Sequence, residues 1–277
     1  MASFLEARTR GGRWYVRVED IDPPREQAGA TQNILKALEV YGLEWDGPVL
    51  YQSDSRSSHE AALAKLLAEG VAYRCGCSRR ELGPVYPGTC RAGSNAAETA
   101  LRVVTNNTEI SFVDGLQGKQ SQRLESEFGD FVVLRKDGLI AYQLAVVVDD
   151  HLQGITDIVR GIDLMDSTPR QIWLQHLLGY RTPSYLHIPV AINAFGQKLS
   201  KSHGASGISL KNAANTLHAA FETLAQKPPS ELASGPVADI WDWALKNWDI
   251  AVLSEQTQLV VAEQLSQPSK TNSDVDP

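Results

Sequence analysis

The densest chemical signal in the chain is a short basic loop, Gly196-Gln197-Lys198-Leu199-Ser200-Lys201-Ser202-His203-Gly204. Two lysines flanking small hydroxyl residues can neutralise a triphosphate, and such a loop can close as negative charge develops on the phosphates. The plainer alternative is a solvated, flexible loop. A second set lies near the start, in Arg17-Val18-Glu19-Asp20-Ile21-Asp22-Pro23-Pro24-Arg25, where Glu19 offers a fixed anionic acceptor to an ammonium group. Read alone, it is equally a charged strand end making surface ion pairs. The third set is Cys75-Gly76-Cys77 with Cys90, all three cysteines of the chain in one Gly/Pro-rich stretch. An odd number cannot all pair, and three thiolates in an irregular loop suit a closed structural zinc site. A fourth ligand must come from elsewhere, because no histidine lies in the loop; three buried free thiols are the alternative. Finally, Arg160, in Asp157-Ile158-Val159-Arg160-Gly161, ends a predicted strand where a guanidinium can meet a carboxylate through two parallel bonds.

Elements of alternating type must position these residues. Phe4 and Leu5 belong to a helix stopped at Gly11-Gly12, and Trp14, Val16 and Val18 alternate with Tyr15, Arg17 and Glu19 in a strand predicted over Arg13 to Asp22. Ile34, Leu35, Leu38 and Tyr41 recur at helical spacing before Gly42, and Ser57-x-x-Glu60 has the form of a capping box ahead of Leu63, Leu66 and Leu67. The cysteine stretch from Arg74 to Arg91 interrupts this order like an inserted loop, and Ala92 to Arg102 is expected to be surface connection. Phe131 to Leu134 and Leu139 to Ala141 flank Lys136-Asp137-Gly138 as a hairpin, and a helix is predicted from Tyr142. A strand over Ile155 to Val159 follows, then a helix opened by Thr168-Pro169-Arg170-Gln171, then a strand within Tyr185 to Ile192. Beyond Leu210 the chain is expected to be helical, with Trp241, Leu245 and Trp248 on one apolar face and a frayed polar end. Strands alternating with helices imply an α/β domain with a largely parallel sheet.

With 277 residues and 43% hydrophobic content the chain can bury a full core. Apolar runs fall far short of the ~20 residues of a spanning helix, and no leader pattern opens the sequence. A cytoplasmic location is expected. The 26 Lys plus Arg against 33 Asp plus Glu give a formal charge of −7, which argues against indiscriminate nucleic-acid binding but leaves room for a local basic groove.

The lysine loop matches the KMSKS signature of class I aminoacyl-tRNA synthetases with Leu199 in place of Met, and Arg17 to Asp22 matches the R-x-E-D-x-D segment of glutamyl- and glutaminyl-type enzymes. With the Cys-x-Cys, Tyr, Cys loop, the chain resembles the glutamyl-queuosine tRNA(Asp) synthetases over nearly its whole length. The resemblance implies a Rossmann-type class I catalytic domain over residues 1–210 with a zinc-binding insertion at about 74–91, and a helical C-terminal region over residues 211–277. It implies activation of L-glutamate with ATP and Mg2+, followed by transfer to queuosine in tRNA(Asp); no DNA or membrane partner is expected. By the same resemblance Glu19, Tyr142 and Arg160 hold glutamate. Lys198 and Lys201 act on ATP within the loop Lys198, Leu199, Ser200, Lys201 and Ser202, and Cys75, Cys77, Tyr86 and Cys90 bind zinc.

The family opens with a strand carrying an Arg-x-Ala-Pro-Ser-like sequence and a histidine-containing counterpart of the HIGH motif, and neither occurs among residues 1–277. Met1 falls at mid-helix by this comparison, so residues 1–277 alone are expected to be unstable or inactive. Two further readings stand beside the main one. A conventional glutamyl-tRNA synthetase, truncated, needs an anticodon-reading domain, and the about seventy residues after the lysine loop are too few for one. A non-catalytic tRNA- or protein-binding remnant would keep the fold and zinc without the chemistry.

Overall fold

The computed structural model describes residues 1–22, 27–199 and 208–261. The chain runs through α1 (Ala2–Thr9), β1 (Arg17–Val18), α2 (Ala30–Val40), β2 (Leu50–Tyr51) and α3 (Arg56–Ala68). Strands β3 (Ala72–Cys75), β4 (Ala100–Val103), β5 (Glu109–Asp114) and β6 (Gly118–Arg123) follow, then the one-turn α4 (Leu124–Glu127) and β7 (Phe131–Leu134). Next come α5 (Tyr142–Leu152), β8 (Asp157–Gly161), α6 (Thr168–Leu178), β9 (Ser184–Ile188) and β10 (Val190–Ile192). Helices α7 (Ala213–Thr223) and α8 (Val237–Asn247) precede β11 (Gln258–Val260).

Parallel pairing dominates where the candidate residues lie. β8 and β9 run parallel, linked through α6, and β5 joins β9 in parallel at Asp114↔Tyr185 while forming a hairpin with β6. β1 and β2 are a separate parallel pair, with Arg17 opposite Leu50. Of the strand predicted over Arg13 to Asp22 only Arg17–Val18 is assigned as strand, because Trp14 is held by other partners: its main-chain N–H goes to Asp46 and its indole N–H to Ser3. The expected capping box of α3 does not form. No side chain caps that helix, and Glu60 pairs with Arg56 at 3.0 Å.

β3, β4 and β7 make an antiparallel sheet covered by α3, α5 and α6. Here the expectation of a surface connection up to Arg102 is corrected: β4 is buried along its length, with Leu101 and Val103 in one core with Leu66, Val133, Leu144 and Leu174. Burying such side chains contributes about 1.5–3 kcal/mol each, enough to draw an irregular-looking segment into the sheet. The Lys136-Asp137-Gly138 turn folds as anticipated, Leu134 bridging Ile140 in antiparallel fashion.

α7 and α8 share a second core with α1, built on Phe4, Leu5, Tyr41, Phe221, Ile240 and Trp241. The buried face of α8 is Ile240, Trp241 and Ala244, whereas Leu245 is 40% exposed. Trp248 follows the helix and donates its indole N–H to Glu6 at 2.7 Å. β11, a strand within a region expected to be helical, pairs in parallel with β10, the apolar Leu259-Val260 run supplying that edge. Among the described residues no helix is long and apolar enough to cross a membrane.

Candidate active site and metal loop

A cleft of about 760 Å³ opens between α1, β1, α5, β8 and β9, lined by Arg17, Glu19, Tyr142, Asp150, Arg160 and Tyr185 among others. Glu19, Tyr142 and Arg160, 123 to 141 residues apart in two of the three pairings by their numbers, thus meet in one place. Each owes its position to its element. Tyr142 is the first residue of α5, entered through extended Ala141, and Arg160 is the penultimate residue of β8.

Both signs of charge line the cleft. Arg17 bonds Asp150 at 2.8 Å and lies 3.8 Å from Glu19. Partial burial raises the Glu19 carboxyl above its ordinary value, with 46% of the side chain still open to water to limit the effect; Arg17 opposes the rise, and the nearby aspartates Asp150 and Asp149 add to it. Asp150 is raised in the same way by burial, against the pull of Arg17. Arg160 lines the same cleft. Tyr142 feels both charges: burial raises its phenol, with Arg160 pulling down and Glu19 pushing up. A cleft lined by both carboxylates and guanidinium groups can offer partners to both charges of a zwitterion.

Arg160 is held by residues for which the sequence offered another use. Its terminal nitrogens donate to Gln171 Oε1 at 2.8 Å and Thr168 Oγ1 at 2.7 Å, and its Nε to His187 Nε2 at 3.1 Å. The Thr168-x-x-Gln171 pair expected to cap α6 instead faces the cleft arginine, and no side chain caps that helix. Gln171 also donates to Gln143 Oε1 at 3.0 Å.

Lys198 is exposed on the strand-like return after β10, its Nζ 2.6 Å from Asp163 Oδ2. Leu199 continues the return, donating its main-chain N–H to Ala191. Ser200, Lys201 and Ser202 lie outside the described residues, as do Pro23, Pro24 and Arg25.

The cysteine loop brings its predicted ligands together. The sulfurs of Cys75, Cys77 and Cys90 all lie within 4.8 Å of one another, Cys77 and Cys90 at 3.4 Å, and the cysteines are free. Tyr86 Oη is 3.2 Å from Cys75 Sγ and 3.5 Å from Cys77 Sγ. Tetrahedral zinc with sulfur at ~2.3 Å requires ligand sulfurs roughly 3.8 Å apart, so three sulfurs and a phenol oxygen in this arrangement fit it. Burial raises the Tyr86 phenol, whereas the hydrogen bond with Tyr86 brings the Cys90 thiol down to about 7 against the effect of burial. Gly129 lets the loop dock: at φ 71, a Cβ there would sit 2.0 Å from the Tyr86 carbonyl oxygen.

Arg102 and Asp130 complete the surroundings and carry no sequence signal. Arg102 donates to Cys75 Sγ at 3.3 Å and to the Asp130 carbonyl at 2.6 Å, while the Asp130 carboxylate binds Arg91, Tyr73 and Thr105.

Residues 1–95 and 91–221 match the family described as tRNA synthetases class I (E and Q), catalytic domain. In fold the chain is similar to a glutamate tRNA ligase from Elizabethkingia meningosepticum, with a TM-score of 0.76 at 19% identity, covering 94% of this chain and 63% of that one. Fold and family match together define a class I tRNA synthetase catalytic domain of the glutamyl and glutaminyl type. The chain is also 49% identical over 270 residues to a glutamyl-Q tRNA(Asp) synthetase of Pseudomonas fluorescens, covering 96% of this chain and 90% of that one. To a glutamyl-Q tRNA(Asp) synthetase of Dechloromonas aromatica it is 47% identical over 274 residues, covering 94% and 91%. The chain belongs to the glutamyl-Q tRNA(Asp) synthetase family.

Proposed function

We propose that this protein activates L-glutamate with ATP and transfers the glutamyl group to queuosine in tRNA(Asp). The observation that carries the reading is the meeting of Glu19, Tyr142 and Arg160 in the lining of one cleft. Glu19 accepts the substrate ammonium, Arg160 pairs with a carboxylate in forked geometry, and Tyr142 lies between them as a hydroxyl able to donate or accept. In the first step a glutamate carboxylate oxygen bonds to the α-phosphorus of ATP, and the bond to the departing pyrophosphate breaks. Lys198, with Lys201 of the same loop, offsets the negative charge gathering on the phosphates, alongside Mg2+ brought by the nucleotide. In the second step a hydroxyl of the queuosine cyclopentene-diol attacks the activated carbonyl and AMP departs.

Cys75, Cys77, Tyr86 and Cys90 would hold zinc, which supplies a structural cross-link in a loop too poor in core to fix itself. The family relationship favours this function over a conventional glutamyl-tRNA synthetase or a non-catalytic remnant.

The test is glutamate transfer to tRNA(Asp) with and without queuosine by the protein purified as made from its native locus, together with glutamate-dependent pyrophosphate exchange in the absence of tRNA. Transfer restricted to the queuosine form, with exchange, is expected. Transfer to the tRNA 3′ end, or no exchange, would overturn the reading.

A further inference from the structure

We propose that His187 and Asp114 form a buried positioning dyad that fixes the Arg160 guanidinium for a ligand carboxylate, an inference that rests on the glutamate-binding role given to Arg160 above. The strand register sets it up. In the parallel β8–β9 pair Arg160 lies opposite His187, and in β5–β9 Asp114 lies opposite Tyr185, so cation, imidazole and carboxylate form a row across three adjacent strands.

The hydrogen bonds fix the tautomer. Arg160 Nε–H can only donate, so His187 Nε2, at 3.1 Å, must accept, and the ring proton therefore sits on Nδ1. That nitrogen is 2.6 Å from Asp114 Oδ2. Asp114 is itself held by main-chain N–H groups of His187, Leu116 and Gln117. Burial alone would raise its carboxyl, but these bonds keep it below its ordinary value, so it remains an acceptor. His187 is fully buried and Asp114 is 2% exposed, so water does not compete for either group.

The consequence falls on the guanidinium. Of its five N–H groups, three are taken by His187, Gln171 and Thr168 at 3.1 Å or less. The other two, one on each terminal nitrogen and with only a 3.4 Å contact to the Leu164 carbonyl, are what the guanidinium has left to offer a carboxylate. If the imidazole proton moved to Nε2, donor would face donor and the guanidinium would turn. Asp114→Asn invites this change, because an amide can donate to Nδ1 while keeping the shape of the side chain. The logic is that of a carboxylate that orients a histidine without itself exchanging a proton.

The experiment combines two readouts on the full protein. Long-range 15N–1H NMR of the wild type, with His187 assigned by its absence from the His187→Gln spectrum, is expected to find Nε2 unprotonated at neutral pH; a proton on Nε2 overturns the inference. If the variants do not fold, His187 is assigned in the wild type through the Tyr185 ring stacked on it, and the state of its Nε2 still decides the question. In pyrophosphate exchange, Asp114→Asn and His187→Leu are expected to raise the KM for glutamate about tenfold with the KM for ATP within about twofold, and His187→Gln, which restores an acceptor near Nε2, to recover most of the loss. A glutamate KM unmoved in both damaging variants, or KM values for both substrates moving together, overturns the dyad while leaving the proposed function intact. A wild-type protein with no glutamate-dependent exchange overturns the function and the dyad with it.

Discussion

The Arg102 guanidinium lies 4.0 Å from the centre of the Tyr86 ring, and the same side chain donates to Cys75 Sγ. Arg102 is 7% exposed, and its other side-chain hydrogen bond goes to a main-chain carbonyl, not to a carboxylate. A buried cation placed against a thiol and a phenol is in the position to offset the negative charge of a thiolate-rich metal cluster, since buried charge is costly unless paired. Replacing Arg102 with Met keeps the bulk and removes the charge. Zinc affinity, measured by competition with a chelating dye, is expected to fall about 10- to 100-fold, the usual range for partners behind metal ligands. Arg102→Lys should lose less. Affinity unchanged in Arg102→Met would show that the cluster needs no such partner.

Adjacent aspartates on α5 serve different ends. Asp149 is 2% exposed and binds His59 Nε2 and Gln52 Nε2, each at 2.8 Å. Asp149→Ala orphans two buried groups at about 1–3 kcal/mol each, so a stability loss of about 2–6 kcal/mol is expected in urea titration. Asp150 faces the cleft and its partner Arg17. Asp150→Ala should cost less than Asp149→Ala, because Arg17 keeps Gln153 and Glu19 as partners, yet raise the glutamate KM by loosening the support of Glu19. Equal stability losses in the two variants would contradict this division.

Local patterns in the sequence account for much of this arrangement. The cysteine loop, the β7 hairpin and the strand carrying Arg160 all declare themselves by spacing within a few residues. What the sequence hides is pairing at a distance. Asp114 and His187 are 73 positions apart, and Arg102 reaches Cys75 across 27. Neither pair has a periodicity to betray it. Thr168 and Gln171 misled in a different way: a Thr-x-x-Gln pattern before an apolar run has the form of a helix cap, but both side chains are drawn to a guanidinium, a stronger partner than a neutral backbone N–H. β4 is hard to see in the sequence because Ala100 to Val103 has no polar-apolar alternation that marks a buried strand, Arg102 being buried in it against Cys75 and the Asp130 carbonyl.

Lys198 tests whether the basic loop acts on chemistry or on stability. Its ion pair with Asp163 is 2.6 Å long but both side chains are over 40% exposed, at 46% and 42%. Such a pair contributes about 0–1 kcal/mol. Lys198→Met is therefore expected to leave thermal unfolding nearly unchanged and to lower kcat for glutamate-dependent pyrophosphate exchange about 100-fold, the cost of removing one charge-stabilising donor. Asp163→Asn frees the lysine and should change kcat far less. A Lys198→Met protein with wild-type kcat would remove this residue from the chemistry.

Glu19 gives the reaction an acid limb of calculable sign. Burial raises its folded carboxyl pKa above the ordinary 4.5, so the folded protein holds this proton more tightly than the unfolded chain does. The stability associated with the protonated group is present below the ordinary value and is lost as pH rises through the raised one. At neutral pH the ionised carboxylate is therefore a cost in the empty cleft, which a bound ammonium offsets. Two outcomes follow for Glu19→Gln. The Glu19 side chain is 46% exposed, so solvent screens this cost and the unliganded variant should unfold within about a degree or two of the wild type at pH 7, any difference being a gain that vanishes near pH 4. Binding should respond in the opposite sense. In the wild type the glutamate KM rises as pH falls through a midpoint above 4.5, because protonation removes the acceptor for the substrate ammonium. In Glu19→Gln this limb is missing and the KM is high throughout, while the KM for ATP is unaffected. A variant less stable than wild type at pH 7, or one that keeps the acid limb in full, would separate Glu19 from the ammonium it is proposed to hold.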